Sequence, residues 1–397
     1  MLVRKGFRYR IYPNTEQQEA LAVQFGHSRF VYNWALDLRR KTYRETGKGL
    51  TYPDTNWTLT KLKKVAPWLC DADSQILQEK LRDLQRAYVN FFEGRAKYPN
   101  FKSKHHQQSI RYPQRFKVKG NRVYLPKVGW VRAVFHRPME GKMKNCTVTK
   151  TKSGKYFISI QSEVEMADPE ISGPAVGIDV GLTRYATLSK PLPDGRTIIE
   201  HPKYLRKAEK KLRRLQRRLS RCQKGSRGRE KARLAVARQH EKVANQRQDF
   251  LHKESRKIVD AFGLIGLETL NIKGMVHNHC LAKGISDSGW YAFSQFITYK
   301  GQWYGSHVER FDRFYPSSRL CSTPGCGYIN RELKLGQSFW ICPDCGKRHD
   351  RDGNASHNLE PTITVGAPGI YADGDRVRPA TLLCVEGTVV EVGSPSL

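Results

Sequence analysis

The chain opens on a strict alternation. Phe7, Tyr9 and Ile11 face one way and Arg8 and Arg10 the other, the period-two pattern of a half-buried strand over residues 3–12. Pro13 ends it. Asn14, three residues before Gln17, then predicts an N-cap with its capping-box partner. Leu21 and Phe25, a break at Gly26, and Phe30, Val31 and Trp34 predict two helices. Ile76, Leu77, Leu81, Leu84, Tyr88, Phe91 and Phe92 keep helical spacing from about Asp73 to Phe92. Residues 13–95 therefore read as a helical module.

From about 98 to 165 the period returns to two. Lys119-Gly120-Asn121 and Ser153-Gly154 sit where hairpin turns belong, flanked by Phe116, Val118, Val123, Leu125 and by Val148, Tyr156, Ile158 and Ile160. A lone strand at 3–12 would expose both edges. It is expected to join these later strands, which makes the helical module an insertion in a small β-barrel. EMADPEISGP (165–174) reads as a linker. AVGIDVGLTRYATLSK follows as an apolar strand, a glycine turn and a second strand. FGLIGLETL (262–270) is a buried-type strand ending in a carboxylate. A helix carrying Trp290, Phe293, Phe296 and Ile297 comes next, then a strand, VERFDRFYP (308–316), and a short helix, DGNASHNL.

Charge changes the picture. The 397 residues carry 70 Lys and Arg against 37 Asp and Glu, a net of +33. That excess calls for a polyanionic partner, nucleic acid or an anionic membrane. No run of 18 apolar residues exists, and MLVRKGFRYRIYP has no apolar export core, so the expected setting is a prokaryotic cytoplasm, at the nucleoid when bound to DNA, with no membrane partner. Residues 203–257 hold 21 Lys and Arg against five Asp and Glu, a net of +16. Leu205, Leu212, Leu215 and Leu219 give that segment an apolar stripe, and GSRG (225–228) divides it, so it reads as a basic helical hairpin. Arg213, Arg214, Arg217 and Arg218 are its candidate phosphate contacts. The last residues, 361–397, share neither charge nor periodicity and are expected to form a loose tail.

Two constellations carry chemistry. Cys321 and Cys326 form C-x4-C; fifteen residues later Cys342 and Cys345 form C-x2-C. Four thiolates so spaced suit one tetrahedral, structural Zn²⁺, with Gly327 and Gly346 giving each knuckle its tight turn. The other five of the nine cysteines are scattered, which fits a reduced compartment. The second constellation is Asp179, Glu268 and Asp352. Two sit where apolar strands meet carboxylates and one opens a helix. Three such groups in one cleft can hold two Mg²⁺ for phosphodiester hydrolysis. Asp350 competes with Asp352, but at a helix start the two point differently, so only one should bind metal.

These motifs resemble the transposon-encoded TnpB family, compact RNA-guided nucleases similar to type V CRISPR effectors. The resemblance rests on RYRIYPNTEQQEAL, RFVYNWAL, GIDVGL, GLETLNIKG and RFYPSSRLCSTPGCG…CPDCGKRHDRDGNASHNL, over about residues 3–360. It implies an α+β multidomain fold: a β-barrel wedge domain (1–12 and 96–165), an inserted helical recognition domain (13–95), and an RNase-H-like RuvC nuclease domain (175–320 and 346–360) with an inserted zinc ribbon (321–345). The RuvC acids fall on Asp179, Glu268 and Asp352, the Asp-x-Asn-Ala form favouring Asp352. Implied partners are a guide RNA and double-stranded target DNA, the protein being a monomer within the ribonucleoprotein. The basic hairpin would grip RNA and heteroduplex while base pairing reads sequence. Gln75, Gln78, Arg82 and the run 108–115 with Arg111 are candidates for reading a target-adjacent motif. Arg319 is a candidate for the scissile phosphate. The rival readings are a nuclease-silent RNA-guided repressor, which would typically lack one of the acids, and a transposase joining DNA ends.

Overall fold

The structure is a computed structural model describing residues 1–105, 107–334, 336–361 and 390–391. The expected loose tail therefore lies almost wholly outside the described residues.

The first half of the chain builds one sheet and the helices that lean on it. β1 (Leu2–Tyr12) is followed by α1 (Thr15–Thr46), α2 (Tyr52–Val65), a single 3-10 turn (Pro67–Asp71) and α3 (Ser74–Phe92). Then come β2 (Gln108–Tyr112), β3 (Lys117–Lys119), β4 (Arg122–Leu125), β5 (Gly129–Val134), β6 (Lys142–Lys150) and β7 (Tyr156–Glu165). Their order across the sheet is β2-β6-β7-β1-β5-β4-β3. β1 pairs antiparallel with both β7 and β5, so the opening strand does find its neighbours far along the chain. The sheet curls, but among the described residues no ladder joins β2 to β3; α1 and α3 pack against β2 instead.

Where two helices were expected after β1 there is one, of 32 residues, running through Gly26. A helical glycine costs only about 1 kcal/mol against alanine and is not by itself a stop. The buried face of α1 is continuous: Leu21, Gln24, Phe25, Ser28, Val31, Tyr32, Ala35, Leu36 and Arg39. Its polar members hid the repeat. Gln24 is satisfied in the core, donating to the Pro126 carbonyl at 3.3 Å and accepting from the Tyr112 hydroxyl at 3.1 Å. Leu21 and Phe25 enter the sheet's core with Ile76, whereas Val31 and Leu36 pack with Leu59, Leu69 and Leu81 in a purely helical one. The capping box at Asn14 and Gln17 is formed in both directions, at 2.8 and 3.1 Å. α2 had no apolar stripe long enough to announce it; Thr51 and Asp54 close its first turn.

The second half is a five-stranded sheet between helices. β8 (Ala175–Val180), β9 (Arg184–Leu188) and β10 (Ile198–Glu200) lead into α4 (Tyr204–Arg221) and α5 (Arg227–Ala261), the basic hairpin. β11 (Leu264–Glu268), α6 (Ile272–Met275), α7 (His279–Ser288), α8 (Trp290–Tyr304) and β12 (His307–Phe311) follow. The order is β10-β9-β8-β11-β12, with β8, β11 and β12 parallel. β12 stops at Phe311, short of the expected residue 316, and Asp312–Tyr315 form a turn. β13 (Phe339–Ile341) and β14 (Arg348–Asp350) make a small hairpin, and α9 (Arg351–Asn358) returns to the five-stranded sheet. A two-residue strand, β15 (Val390–Glu391), runs parallel to β1.

Candidate metal centres

The carboxylates meet because of strand register and two glycines. Side chains alternate across a sheet, so Gly177 and Asp179 share a face of β8, and Gly266 and Glu268 share that of β11. Gly177 pairs with Gly266 and Ile178 with Leu267, which leaves Asp179 and Glu268 side by side one step further on. The paired glycines form a bare platform, and α9 lies directly on it. A Cβ on Gly177 would stand 2.0 Å from the Ser356 carbonyl oxygen, and one on Gly266 would stand 1.8 Å from that of Leu359. Asp352 lies four residues before Ser356, about 6 Å back along the helix at 1.5 Å per residue. The two-residue step from Gly177 to Asp179 covers about 6.6 Å. Sheet and helix thus bring Glu268 and Asp352 close enough for both to act on Asp179, although the oxygens of the three do not all lie within 4.8 Å of one another.

The electrostatics agree. Burial, then the Asp352 and Glu268 carboxylates, push Asp179 up to about 8, while Arg351 and the Val180 N–H pull it the other way. Burial also raises Glu268. None of the three acids is fully buried, so each keeps some contact with solvent. Carboxylate oxygens gathered in a partly buried place are the donor set a divalent cation such as Mg²⁺ satisfies.

Asp350 has a different task. It is the N-cap of α9, its Oδ1 accepting from the Gly353 N–H at 2.9 Å, and it pairs with Arg184 at 3.1 Å. Its carboxylate is already taken, which leaves Asp352 as the helix's free acid.

The four cysteines are the one group among the described residues whose ligand atoms all lie within 4.8 Å. Cys321 and Cys345 Sγ are 3.6 Å apart, Cys326 and Cys342 Sγ 3.5 Å. A tetrahedron of 2.3 Å Zn–S bonds needs sulfurs about 3.8 Å apart, so the cluster fits zinc with little movement. Gly327 and Gly346 both have φ of 69°, the left-handed region each knuckle's turn requires. The Lys347 N–H and the Thr323 hydroxyl hold the Cys345 thiol down to about 6, in the thiolate form a metal takes.

Sequence reasoning missed what joins the two centres. Buried Asn354 accepts from the Ser322 N–H at 2.9 Å and donates to the Leu320 carbonyl at 2.6 Å, so it grips both neighbours of Cys321. Asn358 donates to the Ser317 and Leu320 carbonyls at 2.8 and 2.7 Å. His349 Nε2 lies 3.1 Å from Cys321 Sγ. An asparagine inside a short buried helix, two residues after an acid, was the available signal.

The nucleic-acid candidates sit on α3, β2, α4 and the turn before Cys321. Gln75, Gln78 and Arg82 share a face of α3. Arg82 and Arg111 both pair with buried Glu79, at 2.9 and 3.4 Å, tying α3 to β2. Arg214, Arg217 and Arg218 are exposed on α4; Arg213 pairs with Glu209 at 3.2 Å. Arg319 is exposed in the turn leading to Cys321. No helix among the described residues is long and apolar enough to cross a membrane.

Three acids beside a mixed sheet, a four-cysteine cluster that could bind zinc and a basic helical hairpin thus lie on one chain. Residues 157–279 match the OrfB family of IS605 elements, described as "Probable transposase"; 1–48 match the helix-turn-helix domain of that group, and 290–359 a Cas12f1-like TNB domain. The chain belongs to this OrfB/TnpB family. A Streptomyces pristinaespiralis protein named "Putative RNA-guided DNA endonuclease" is 36% identical over 95% of this chain and 92% of its own length. The Escherichia coli K12 protein "Putative RNA-guided DNA endonuclease InsQ" is 34% identical over 97% of each. The fold is similar to that of Cas12f1 in its complex with single-guide RNA and target DNA, with a TM-score of 0.55, 13% identity, and coverage of 90% of this chain and 98% of that one. In this chain residues 1–48 form β1 and the unbroken α1 rather than two helices.

Proposed function

We infer that this protein is an RNA-guided DNA endonuclease that cuts beside a short target-adjacent motif at a single centre. The observation that carries the reading is the convergence of Asp179, Glu268 and Asp352 on the Gly177–Gly266 platform, where burial and then the two neighbouring carboxylates raise Asp179 to about 8. A pair of Mg²⁺ ions bound there supplies activation of water and stabilisation of the leaving oxygen in phosphodiester hydrolysis. Asp179 and Glu268 hold that charge against rigid strand ends. Asp352 closes over it from α9, whose position Asn354 and Asn358 fix. With Mg²⁺ bound, Asp179 would serve as a carboxylate ligand, without the proton its surroundings favour in the metal-free protein. The Cys321, Cys326, Cys342 and Cys345 site takes one structural Zn²⁺, leaving no open ligand position.

In this reading 1–12 and 96–165 are the wedge domain, 13–95 the recognition insertion, 175–320 and 346–360 the RuvC domain, and 321–345 the zinc ribbon. The exposed arginines of α4 support a role in gripping guide RNA and heteroduplex by phosphates, with the protein monomeric and working in the cytoplasm. The test is to copurify the protein with its RNA and incubate it with matched duplex DNA and Mg²⁺. Wild type cleaves the matched target only, and Asp179→Ala loses at least ~10³-fold, the scale of removing charge stabilisation from a transition state. Equal cleavage by Asp179→Ala overturns the site.

A further inference from the structure

A cavity of about 730 Å³ opens between the C-terminal half of α1, the loop before α2 and the C-terminal half of α3, far in sequence from the acids. That volume is within the ~300–1,000 Å³ of small-ligand sites. One wall is aromatic. Tyr88 and Phe92 are stacked at 6.2 Å and 23°, and Tyr98 stands edge-on to Tyr88 at 5.7 Å. The other wall is cationic, with Arg39, Arg40 and Arg44 on α1, and no acid lines the cavity. Arg40 is held by the Pro99 carbonyl at 3.1 Å and lies over Tyr98. Arg44 is exposed with no ion-pair partner among the described residues.

Arg39 is the unusual member. It is 5% exposed, one amine donates to Gln85 Oε1 at 2.5 Å, and its buried Nε has no hydrogen-bond partner. Burial lowers its pKa. Arg39 lies over the Tyr88 ring at 4.9 Å and feels the Asp54 carboxylate only at a distance, with no ion pair to it, so its buried charge still favours an anion in the cavity. Phe92 at 77% exposure and Tyr43 at 62% are too open to be core residues, and both line the mouth. Flat apolar faces beside unneutralised arginines match one chemistry: a nucleobase carrying its own phosphate.

We propose that this cavity takes one unpaired nucleotide of a bound nucleic-acid strand, its base against the Tyr88–Phe92 wall and its phosphate at Arg40 and Arg44. The proposal rests on the nucleic-acid reading of the whole protein but assigns a second contact site, remote from the cleavage centre. Base–aromatic stacking tolerates any sequence, so the pocket would anchor a strand rather than read it.

The test measures anisotropy of labelled single strands of about 12 nucleotides, inside the ~4–16 span that such sites occupy. The probes are oligouridylate, oligothymidylate and an abasic strand of equal length. Phe92→Ala is expected to weaken the better-bound base-bearing strand about 10-fold, with Tyr43→Ala acting in the same direction, and both to leave the abasic strand unchanged. Arg44→Ala is expected to weaken all three and to flatten the salt dependence by about 0.7 in log–log slope. The arm with the larger Phe92→Ala loss tells RNA from DNA. Unchanged binding by Phe92→Ala, or an equal loss on the abasic strand, overturns the pocket alone. Failure of wild type to bind any strand overturns the nucleic-acid reading with it. A dimer in sedimentation that Phe92→Ala dissolves would show a second copy to be the occupant, and would also overturn the proposal.

Discussion

Gly177→Ala should abolish the proposed cleavage without altering any of the three acids. The added Cβ meets the Ser356 oxygen at 2.0 Å, against the ~3.4 Å of ordinary contact, so α9 must rise by more than about 1 Å. The obstacle is backbone on both sides, and no rotamer change can relieve it. Overpacking of this kind costs about 1–3 kcal/mol, which a chain of this size survives folded. The consequence at the site is larger, because α9 carries Asp352 and a displacement near 1 Å costs ~10²-fold in a preorganised centre. The assay is single-turnover cleavage of matched DNA by the ribonucleoprotein, run beside the Mg²⁺-induced rise in melting temperature. Gly177→Ala should lose about 10²-fold in rate and most of the Mg²⁺ stabilisation, while RNA affinity stays at wild type. Gly26→Ala is the internal control. Nothing lies within 4 Å of its new methyl in α1, so the same substitution should stabilise by up to ~1 kcal/mol and leave cleavage alone. Wild-type cleavage by Gly177→Ala would refute the platform argument, whatever its stability.

Two further outcomes follow from the same geometry. Asp179 is raised to about 8, far above an unfolded aspartate, so in metal-free protein its contribution to stability is complete at low pH and disappears as pH rises toward 8. At about 1.4 kcal/mol per unit the shift is on the order of 5 kcal/mol, which partial exposure cuts to roughly half. Melting curves without metal should therefore fall from pH 5 to 8 more steeply in wild type than in Asp179→Asn, and Mg²⁺ should stabilise wild type more at pH 8 than at pH 6; parallel curves would contradict the coupling. Asn354→Ala strands the Ser322 N–H, at ~1–3 kcal/mol, and leaves the Leu320 carbonyl to Asn358 alone, which loosens the knuckle on α9. It should lower the urea midpoint and weaken zinc retention against a chelator together, and a variant that retains zinc like wild type would count against the link.

How much was legible in advance differs from element to element. β1, α3, α9 and the β8–β9 and β6–β7 hairpins follow from periodicity and turn chemistry, which act over a few residues. The two knuckles follow from cysteine spacing alone, since a short loop can bring its own ends together. Gly26 misled because polar Gln24 and Ser28 occupy buried positions, Gln24 being satisfied by partners from β2 and the β4–β5 loop that only the assembled sheet supplies. α2 escaped because its burial is two residues, Thr55 and Leu59.

By itself the sequence determined which groups exist: three acids in strand and helix-start settings, four thiolates at ligand spacing, and a helical hairpin of concentrated positive charge. These are properties of composition and local pattern. The family resemblance already favoured Asp352 over Asp350, but only tertiary structure shows why Asp350 is engaged. Asp350 and Asp352 differ by two residues, and what separates them is Arg184, brought across from β9 to engage one and not the other. Only tertiary structure, too, gave Gly177 and Gly266 their meaning. Each is an unremarkable residue in its own strand. Placed in register they form a floor without side chains, and a helix some 180 residues beyond the first of them descends far enough to complete the site.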